Sequence, residues 1–395
     1  MLKIYNTLSK KIEDFIPLDK SHIKIYVCGP TVYDKIHIGN ARPLVVFDTF
    51  VRLLRYKYPK VTYVRNITDV DDKINDRLVS EKITLKDLTD KTINDFQKDC
   101  TSLNNLYPDY EPRATEHISE MIKMIENLIL NEFAYLSKGH VLFNIKKFPE
   151  YGSLSNRTLD EMISGSRVEI ADYKINPGDF VLWKPSEQNI PGWESPWGRG
   201  RPGWHIECSA MSKKYLGVQF DFHGGGADLI FPHHENEIAQ SRCANNSNSL
   251  ANYWMHNGYV NIDNVKMSKS LKNFVSISEL LNKFKGETIR YLLLQSHYRA
   301  PLNFSNNSLL EANTSLSSLY RSVEDLSING DPDEEILTNL EDDVNTPKVF
   351  SRLHYLSEQA NKGSIEAAQL LKNSVRLIQE IRDQPWFPSP EKNIG

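Results

Sequence analysis

Between residues 23 and 67 the chain switches from one hydrophobic period to another and back, and no other stretch constrains the fold as strongly. Ile23-Lys24-Ile25-Tyr26-Val27-Cys28 has the β-branched and aromatic content of a short strand, and Gly29-Pro30 ends it. A loop runs to Gly39. A helix is expected there, because Leu44, Phe47, Val51 and Leu54 recur at helical spacing. Val61 to Ile67 then returns to an apolar, β-rich run. Strand, crossover helix and strand make a βαβ unit, so the expected class is α/β, with a Rossmann-like parallel sheet.

Further along, Leu85 to about Leu130 reads as helical, and Gly139 to Asn144 reads as a strand. The segment from about 113 to 200 has the character of an insertion, ordered by Trp183, Trp193 and Trp197 more than by long regular elements. Gln219 to His223 is a further strand running into Gly224-Gly225-Gly226, with a helix from about Pro232. From Leu309 the chain is helical, with a break at Gly330-Asp331-Pro332. Leu340, Val344, Val349 and Leu353, then Ile365, Ala368, Leu371, Val375 and Ile378, predict a small bundle ending near Asp383 in a Pro-containing tail.

At 395 residues, 40% hydrophobic, the chain can bury more than one core. Cys28, Cys100, Cys208 and Cys243 are too scattered for a disulfide framework and read as reduced thiols, some of them open to a metal. With no leader-like segment and no apolar run near the ~20 residues of a spanning helix, a cytoplasmic protein without a membrane partner is expected. The net charge of −4 means that any polyanion must be met by a local basic face.

Two short strings carry the phosphate chemistry. Lys266-Met267-Ser268-Lys269-Ser270 puts two lysines on a loop, where they can stabilise charge that develops on a departing phosphate. A lysine pair around a serine is ordinarily just a solvated loop. His37-Ile38-Gly39-Asn40 opens the first crossover helix, where free N–H groups and the dipole favour an anion, Gly39 permits close approach and His37 can donate. Alone, a His-x-Gly is more often structural; the pairing of the two strings is what carries information.

A metal site is also legible. His233 and Glu237 are four apart on the helix expected from Pro232, so both lie on one face and can chelate one ion, while His234 points a quarter turn away. Cys28 and Cys208 are far apart in sequence, but both can reach a sheet's carboxyl edge. Each cysteine taken singly reads equally well as a small buried apolar residue.

The two strings resemble the signature motifs of class I aminoacyl-tRNA synthetases. Cys28-Gly29-Pro30-Thr31-Val32-Tyr33-Asp34, the run Asn66 to Lys73, Trp204 to Ser209 and Phe231 to Glu237 are similar to cysteinyl-tRNA synthetase in particular, over nearly the whole chain. Asn40 departs from the motif, which most often has a second histidine there.

The resemblance implies that Cys28, Cys208, His233 and Glu237 hold one zinc ion, and that Thr68, Trp204 and His223 line the amino-acid pocket. It implies that His37, Gly39, Asn40, Asp228 and Lys269 bind ATP with its Mg2+, and that His37, Asn40, Lys266 and Lys269 serve catalysis. Cys100 and Cys243 match no ligand position. Implied partners are ATP, L-cysteine and tRNA(Cys), with the protein a monomer. The alternative is a ligase of the same ancestry that passes cysteine to a small amino sugar.

The implied organisation is a catalytic domain in two halves (1–112 and 201–250) split by a connective insertion (113–200), then a stem-contact region with the lysine loop (251–308) and a helical bundle (309–387). A tail (388–395) follows, and the anticodon-binding domain of the family is expected to be absent from these 395 residues.

Overall fold

The computed structural model of the chain describes residues 1–157, 161, 171–267, 273–323 and 326–378. It opens with a hairpin of β1 (Lys3–Asn6) and β2 (Lys11–Asp14), followed by β3 (Ile23–Val27), α1 (Ile38–Lys57) and β4 (Val61–Arg65), the expected βαβ unit. Next come α2 (Asp72–Glu81), α3 (Leu85–Ser102) and α4 (Ile118–Leu130). An antiparallel sheet follows, with β5 (Ala134–Ser137), β6 (His140–Phe143), β7 (Phe180–Pro185) and β8 (Gly200–Pro202) in that order. The chain then supplies α5 (Trp204–Leu216), β9 (Phe220–Gly226), α6 (Glu235–Asn245) and β10 (Ala251–Asn257).

Strands from both halves of the chain share one parallel sheet in the order β10-β9-β3-β4. Beyond it lie a small sheet of β11 (Val260–Ile262), β12 (Val265–Lys266) and β13 (Leu302–Phe304), with α7 (Ile277–Leu281) and α8 (Gly286–Gln295) between its second and third strands. The remaining helices are α9 (Asn306–Arg321), α10 (Glu334–Glu341), α11 (Thr346–Asn361) and α12 (Ile365–Val375). The expected end of the bundle near Asp383 and the tail 388–395 lie outside the described residues.

The apolar stripe of α1 packs on this sheet. Phe50 meets Phe222 edge-to-face at 4.9 Å, and Phe47 lies so close to β9 that a Cβ on Gly224 would fall 2.3 Å from its ring. Each buried side chain of this size stabilises by roughly 1.5–3 kcal/mol. Fully buried Arg290 on α8 donates to Asp48 and Thr49 of α1 and to Ile378 O, tying the helical region to the sheet.

The elements depart from expectation where tertiary contacts intervene. The helical reading of 85–130 is interrupted by 103–117, whose Pro108 and Pro112 cannot donate to a helix. Arg65 N donates instead to Tyr110 O and Ile67 N to Pro112 O, which extends the edge of the sheet.

The stretch from Leu340 to Leu353 is divided between α10 and α11. Asp343 and Val344 take positive φ of 55° and 52°, and the Asp343 carboxylate is anchored by Tyr5 N, the Tyr298 hydroxyl and Arg299. The insertion also has more regular structure than expected: its sheet buries Trp183, which meets Trp197 edge-on at 6.0 Å.

Candidate active site

The sheet places the site. β3 passes its chain to β4 on one side and β9 passes its chain to β10 on the other, so the crossovers diverge between β3 and β9, and a crevice opens at their carboxyl ends. A cleft of about 430 Å³ lies there, with Cys28 and Gly29 from the end of β3, His37, Gly39 and Asn40 from the start of α1, and Asp228 and Trp204 from the second half of the chain. That volume suits a nucleotide-sized ligand.

At one side of the cleft the four expected metal-binding side chains converge. Donor atoms of Cys28, Cys208, His233 and Glu237 all lie within 4.8 Å of one another, and all four residues are buried. Cys28 Sγ is 3.6 Å from Cys208 Sγ and 3.5 Å from Glu237 Oε1, and His233 Nε2 is 3.1 Å from the same oxygen. Tetrahedral zinc with bonds of ~2.0–2.3 Å separates its donors by about 3.3–3.8 Å. Two thiols, an imidazole and a carboxylate at these separations fit such an ion.

Without an ion, the cluster's charges balance one another. Burial pushes the Cys28 thiol up. Burial acts on Cys208 too, but hydrogen bonds from Cys28 and His233 outweigh it and bring that thiol to about 6. Burial would neutralise His233, yet the neighbouring Glu237 and Cys208 hold it at about 10. His223 and His233 keep Glu237 at about 2 despite its burial. The pocket is thus built from opposed charges in a dry setting, where each counts heavily.

One local difference bears on this cluster. The helix expected from Pro232 begins at Glu235, preceded by a wide turn over Ile230–His234 in which Phe231 is extended and Glu235 N donates to Ile230 O. Pro232 has no N–H and an adjoining extended residue, so the regular helix starts later. The turn still delivers His233 to Glu237. Contrary to the expected quarter turn away, it also brings His234 to the cluster, where Nε2 lies 3.3 Å from Cys28 Sγ and 3.9 Å from Glu237 Oε1, and Nδ1 lies 2.8 Å from His256 Nε2; Cys28, His223, His234 and Glu237 thus make a second, overlapping set of donors within 4.8 Å of one another.

At the other side of the cleft, His37 is the N-cap of α1. Its Nδ1 accepts from Gly39 N (3.1 Å) and Asn40 N (3.3 Å), while Asn40 Oδ1 accepts from His37 N (3.2 Å). Two helix amides expected to be free for an anion are therefore taken by the imidazole. Because Nδ1 accepts, the ring hydrogen is on Nε2, and Asn40 has Nδ2 left as a donor. Burial lowers the His37 pKa to about 4 against the pull of Asp228, so the ring is neutral near pH 7.

The two signature strings meet. A Cβ on Gly39 would lie 2.4 Å from Met267 Cε, the His37 ring stacks on Phe274 at 4.9 Å, and Ile38 N donates to Val275 O. Lys269 lies outside the described residues, as does the Lys266 side chain.

The other expected residues are placed as follows. Trp204 lines the cleft and its ring lies 4.3 Å from that of His233. Thr68 and His223 are buried behind the ligand cluster: Thr68 Oγ1 donates to Glu207 Oε2 (3.0 Å), and His223 Nε2 bonds Glu237 Oε2 (2.8 Å) while its ring stacks on Trp254 at 4.4 Å. Of the glycines that end β9, Gly226 lines the cleft, while Gly224 packs on Phe47 and Gly225 on His234.

Cys100 and Cys243 are buried away from the cluster, as small apolar residues would be.

Residues not singled out in the sequence also matter. His205 Nδ1 is 2.9 Å from His233 Nδ1, and Asn66 Oδ1 accepts from Gly29 N and lies 3.6 Å from Cys208 Sγ. His205 stands three residues before Cys208 on α5, and that i,i+3 spacing was a usable signal. Asn66 offered no such spacing.

A family model described as the tRNA synthetases class I (C) catalytic domain matches residues 14–314. A Rhodospirillum rubrum protein named Cysteine--tRNA ligase is 53% identical over 372 residues, covering 93% of this chain and 81% of that protein. A Granulibacter bethesdensis protein of the same name is 53% identical over 394 residues, covering 97% and 84%. Mycobacterium tuberculosis methionyl-tRNA synthetase in complex with methionyl-adenylate matches with a TM-score of 0.64 over 91% of this chain and 89% of that one, at 13% identity, a likeness of fold alone. With a catalytic-domain match over most of its length and relatives of this identity and coverage, the chain belongs to the cysteinyl-tRNA synthetase family of class I aminoacyl-tRNA synthetases.

Proposed function

We propose that the chain ligates L-cysteine to tRNA(Cys) in two steps at one centre. The cysteine carboxylate attacks the α-phosphorus of ATP, giving cysteinyl-adenylate and pyrophosphate. A terminal ribose hydroxyl of tRNA(Cys) then takes the cysteinyl group and AMP leaves. Cys28 carries this reading, because its thiol belongs to the ligand cluster and the residue also lines the nucleotide-sized cleft. An amino acid whose thiol reaches the cluster would turn its carboxylate toward the cleft. The shared name of the relatives favours tRNA over an amino sugar as the acceptor.

A zinc ion held by Cys28, Cys208, His233 and Glu237 would supply a soft partner for the substrate thiol, which the hydroxyl of serine or the methyl of alanine cannot replace. Shape alone separates such near-isosteres by only ~10- to 200-fold. Trp204 would cover the amino-acid pocket, with Thr68 and His223 fixing its floor from behind.

The neutral His37 Nε2–H and the Asn40 amide would donate to ATP phosphates, and Asp228 would accept from the ribose. Lys266 and Lys269 would stabilise the charge on departing pyrophosphate, with Mg2+ accompanying ATP. Residues 1–112 and 201–250 would then form the catalytic unit, joined by the connective insertion 113–200, with 251–308 as the stem-contact region and the helical bundle 309–387 toward the inner corner of the tRNA.

The test is cysteine-dependent exchange of pyrophosphate into ATP, followed by transfer to tRNA(Cys) or to glucosaminyl-inositol. Exchange with cysteine but not with serine or alanine, then charging of tRNA, is the expected result. Absence of exchange, or transfer to the amino sugar alone, would overturn the reading.

A further inference from the structure

A guanidinium buried without an anion is unfavourable, and its presence calls for a reason. Arg42, in α1, has no exposed surface, and among the described residues no carboxylate contributes to its electrostatics. It stands close to the positive end of the helix, which disfavours a cation further. Burial lowers its pKa only to about 10, so it stays charged near pH 7.

Its hydrogen bonds converge on one part of the molecule. Nη1 donates to Gly258 O and Tyr259 O, each at 2.9 Å, and Nη2 donates to Ser296 Oγ at 3.1 Å and His297 O at 3.2 Å. Gly258, Tyr259 and Val260 line the cleft. A trans peptide sets its N–H opposite its C=O, so the Tyr259 and Val260 N–H groups are turned away from Arg42. Gly258 completes the arrangement: a Cβ there would lie 2.6 Å from Ala300 O and 2.7 Å from Arg299 O. The helix that carries His37 and Asn40 at its N-terminus therefore also grips, within its next turn, a second wall of the same cleft.

We propose that Arg42 is a positioning residue for the nucleotide: Nη1 holds the Gly258 and Tyr259 carbonyls while Nη2 holds Ser296 and His297, which locks this wall of the cleft to α1 so that the Val260 N–H is presented to a ring-nitrogen acceptor of a purine. This rests on the cleft taking ATP. A lysine keeps the charge but ends in one nitrogen, so it cannot hold the Gly258 and Tyr259 carbonyls and the Ser296–His297 acceptors together.

The experiment measures cysteine-dependent pyrophosphate exchange for wild type, Arg42→Lys and Ser296→Ala, with thermal stability and metal content as folding readouts. Arg42→Lys is expected to raise the KM for ATP by ~10-fold or more and to shrink the preference for ATP over GTP, with the KM for cysteine and the metal content unchanged. Ser296→Ala removes one acceptor of the fork and is expected to raise the ATP KM by about 2- to 5-fold. A purely structural role would lower stability and shift both substrates together, leaving the purine preference as it was, and that result overturns the proposal. So does an unchanged ATP KM in a folded Arg42→Lys protein. If Arg42→Lys fails to fold, Ser296→Ala decides in the same way. Loss of exchange in the wild type would instead strike the proposed function, not the role of Arg42.

Discussion

Around Cys208 strong and opposed charges are packed into a buried cluster, whereas His37 itself is neutral and the charged groups near it, Asp34, Lys35, Lys73 and Asp228, lie along the wall of the open cleft. The thiol side holds a carboxylate at about 2 and an imidazole at about 10, both fully buried, a few ångströms apart. The phosphate side holds a neutral imidazole, an amide and backbone groups. A buried ion site needs its donors fixed in advance, since reorganising them in a low dielectric is costly, and an ion that binds there displaces the proton of the imidazole. A site that takes in a triphosphate and lets pyrophosphate go is better served by neutral donors on a helix cap, with formal charge brought by the separate lysine segment. The comparison teaches that selection and reaction can share a cleft while drawing on different electrostatics.

The sharpest way to break that division is to remove one charged group from each side. Lys269→Ala is expected to slow adenylate formation by about 10³-fold while metal content stays at the wild-type value. Cys208→Ala is expected to do the reverse to the metal, weakening its binding by more than about 10²-fold. Pre-steady-state activation and metal analysis of the two purified variants read both effects. Metal loss in Lys269→Ala, or full metal in Cys208→Ala, would show that the two sides are not separable.

A smaller effect is expected at the hinge between the two sides. A Cβ on Gly29 would fall 1.7 Å from Asn66 O, so Gly29→Ala must push apart the segments that carry Cys28 and Asn66. The expected loss is about 1–3 kcal/mol of stability together with weaker metal binding, read by denaturant unfolding and by competition with a chelator. Unchanged metal affinity would mean that the cluster tolerates movement of β3, contrary to the pre-set donors inferred here.

The smallest effect concerns acid. The His37 pKa is about 4 in the folded chain and 6.5 unperturbed, so the folded state binds fewer protons between those values. Its contribution is fully present above pH 6.5 and declines as pH falls toward 4. Asparagine also caps helices but does not titrate. His37→Asn should therefore lose less stability than wild type between pH 6.5 and 4, by about 1–2 kcal/mol. Parallel stability curves over that window would place the imidazole in a more solvated setting.

Much of the site was legible because its residues sit where local rules apply. His37 follows a strand and precedes an amphipathic helix, and His233 and Glu237 hold the spacing that shares a helix face. These patterns depend on near neighbours, so a single sequence carries them.

Other features depended on contacts between distant segments. Asn66, which touches both Gly29 and Cys208, opens a run that resembles the family, but no spacing or periodicity sets it apart from a turn residue. Gly224 and Gly225 make room for Phe47 and His234, which reach them only once α1 and the Ile230–His234 turn have packed. The break at Asp343 is similar, since its positive φ is held by Tyr5, Tyr298 and Arg299 from elsewhere in the chain.

By itself the sequence determined the βαβ plan, the two phosphate signatures and the identities of the four metal-binding candidates. Only the tertiary structure decided that Cys28 and Cys208 lie 3.6 Å apart, that the helix amides near His37 are already capped, and that Arg42 spans from α1 to the far wall of the cleft. Periodicity and spacing reflect short-range geometry along the chain, whereas which orphaned donors and buried charges find partners is settled by the packing of segments that the sequence lists far apart.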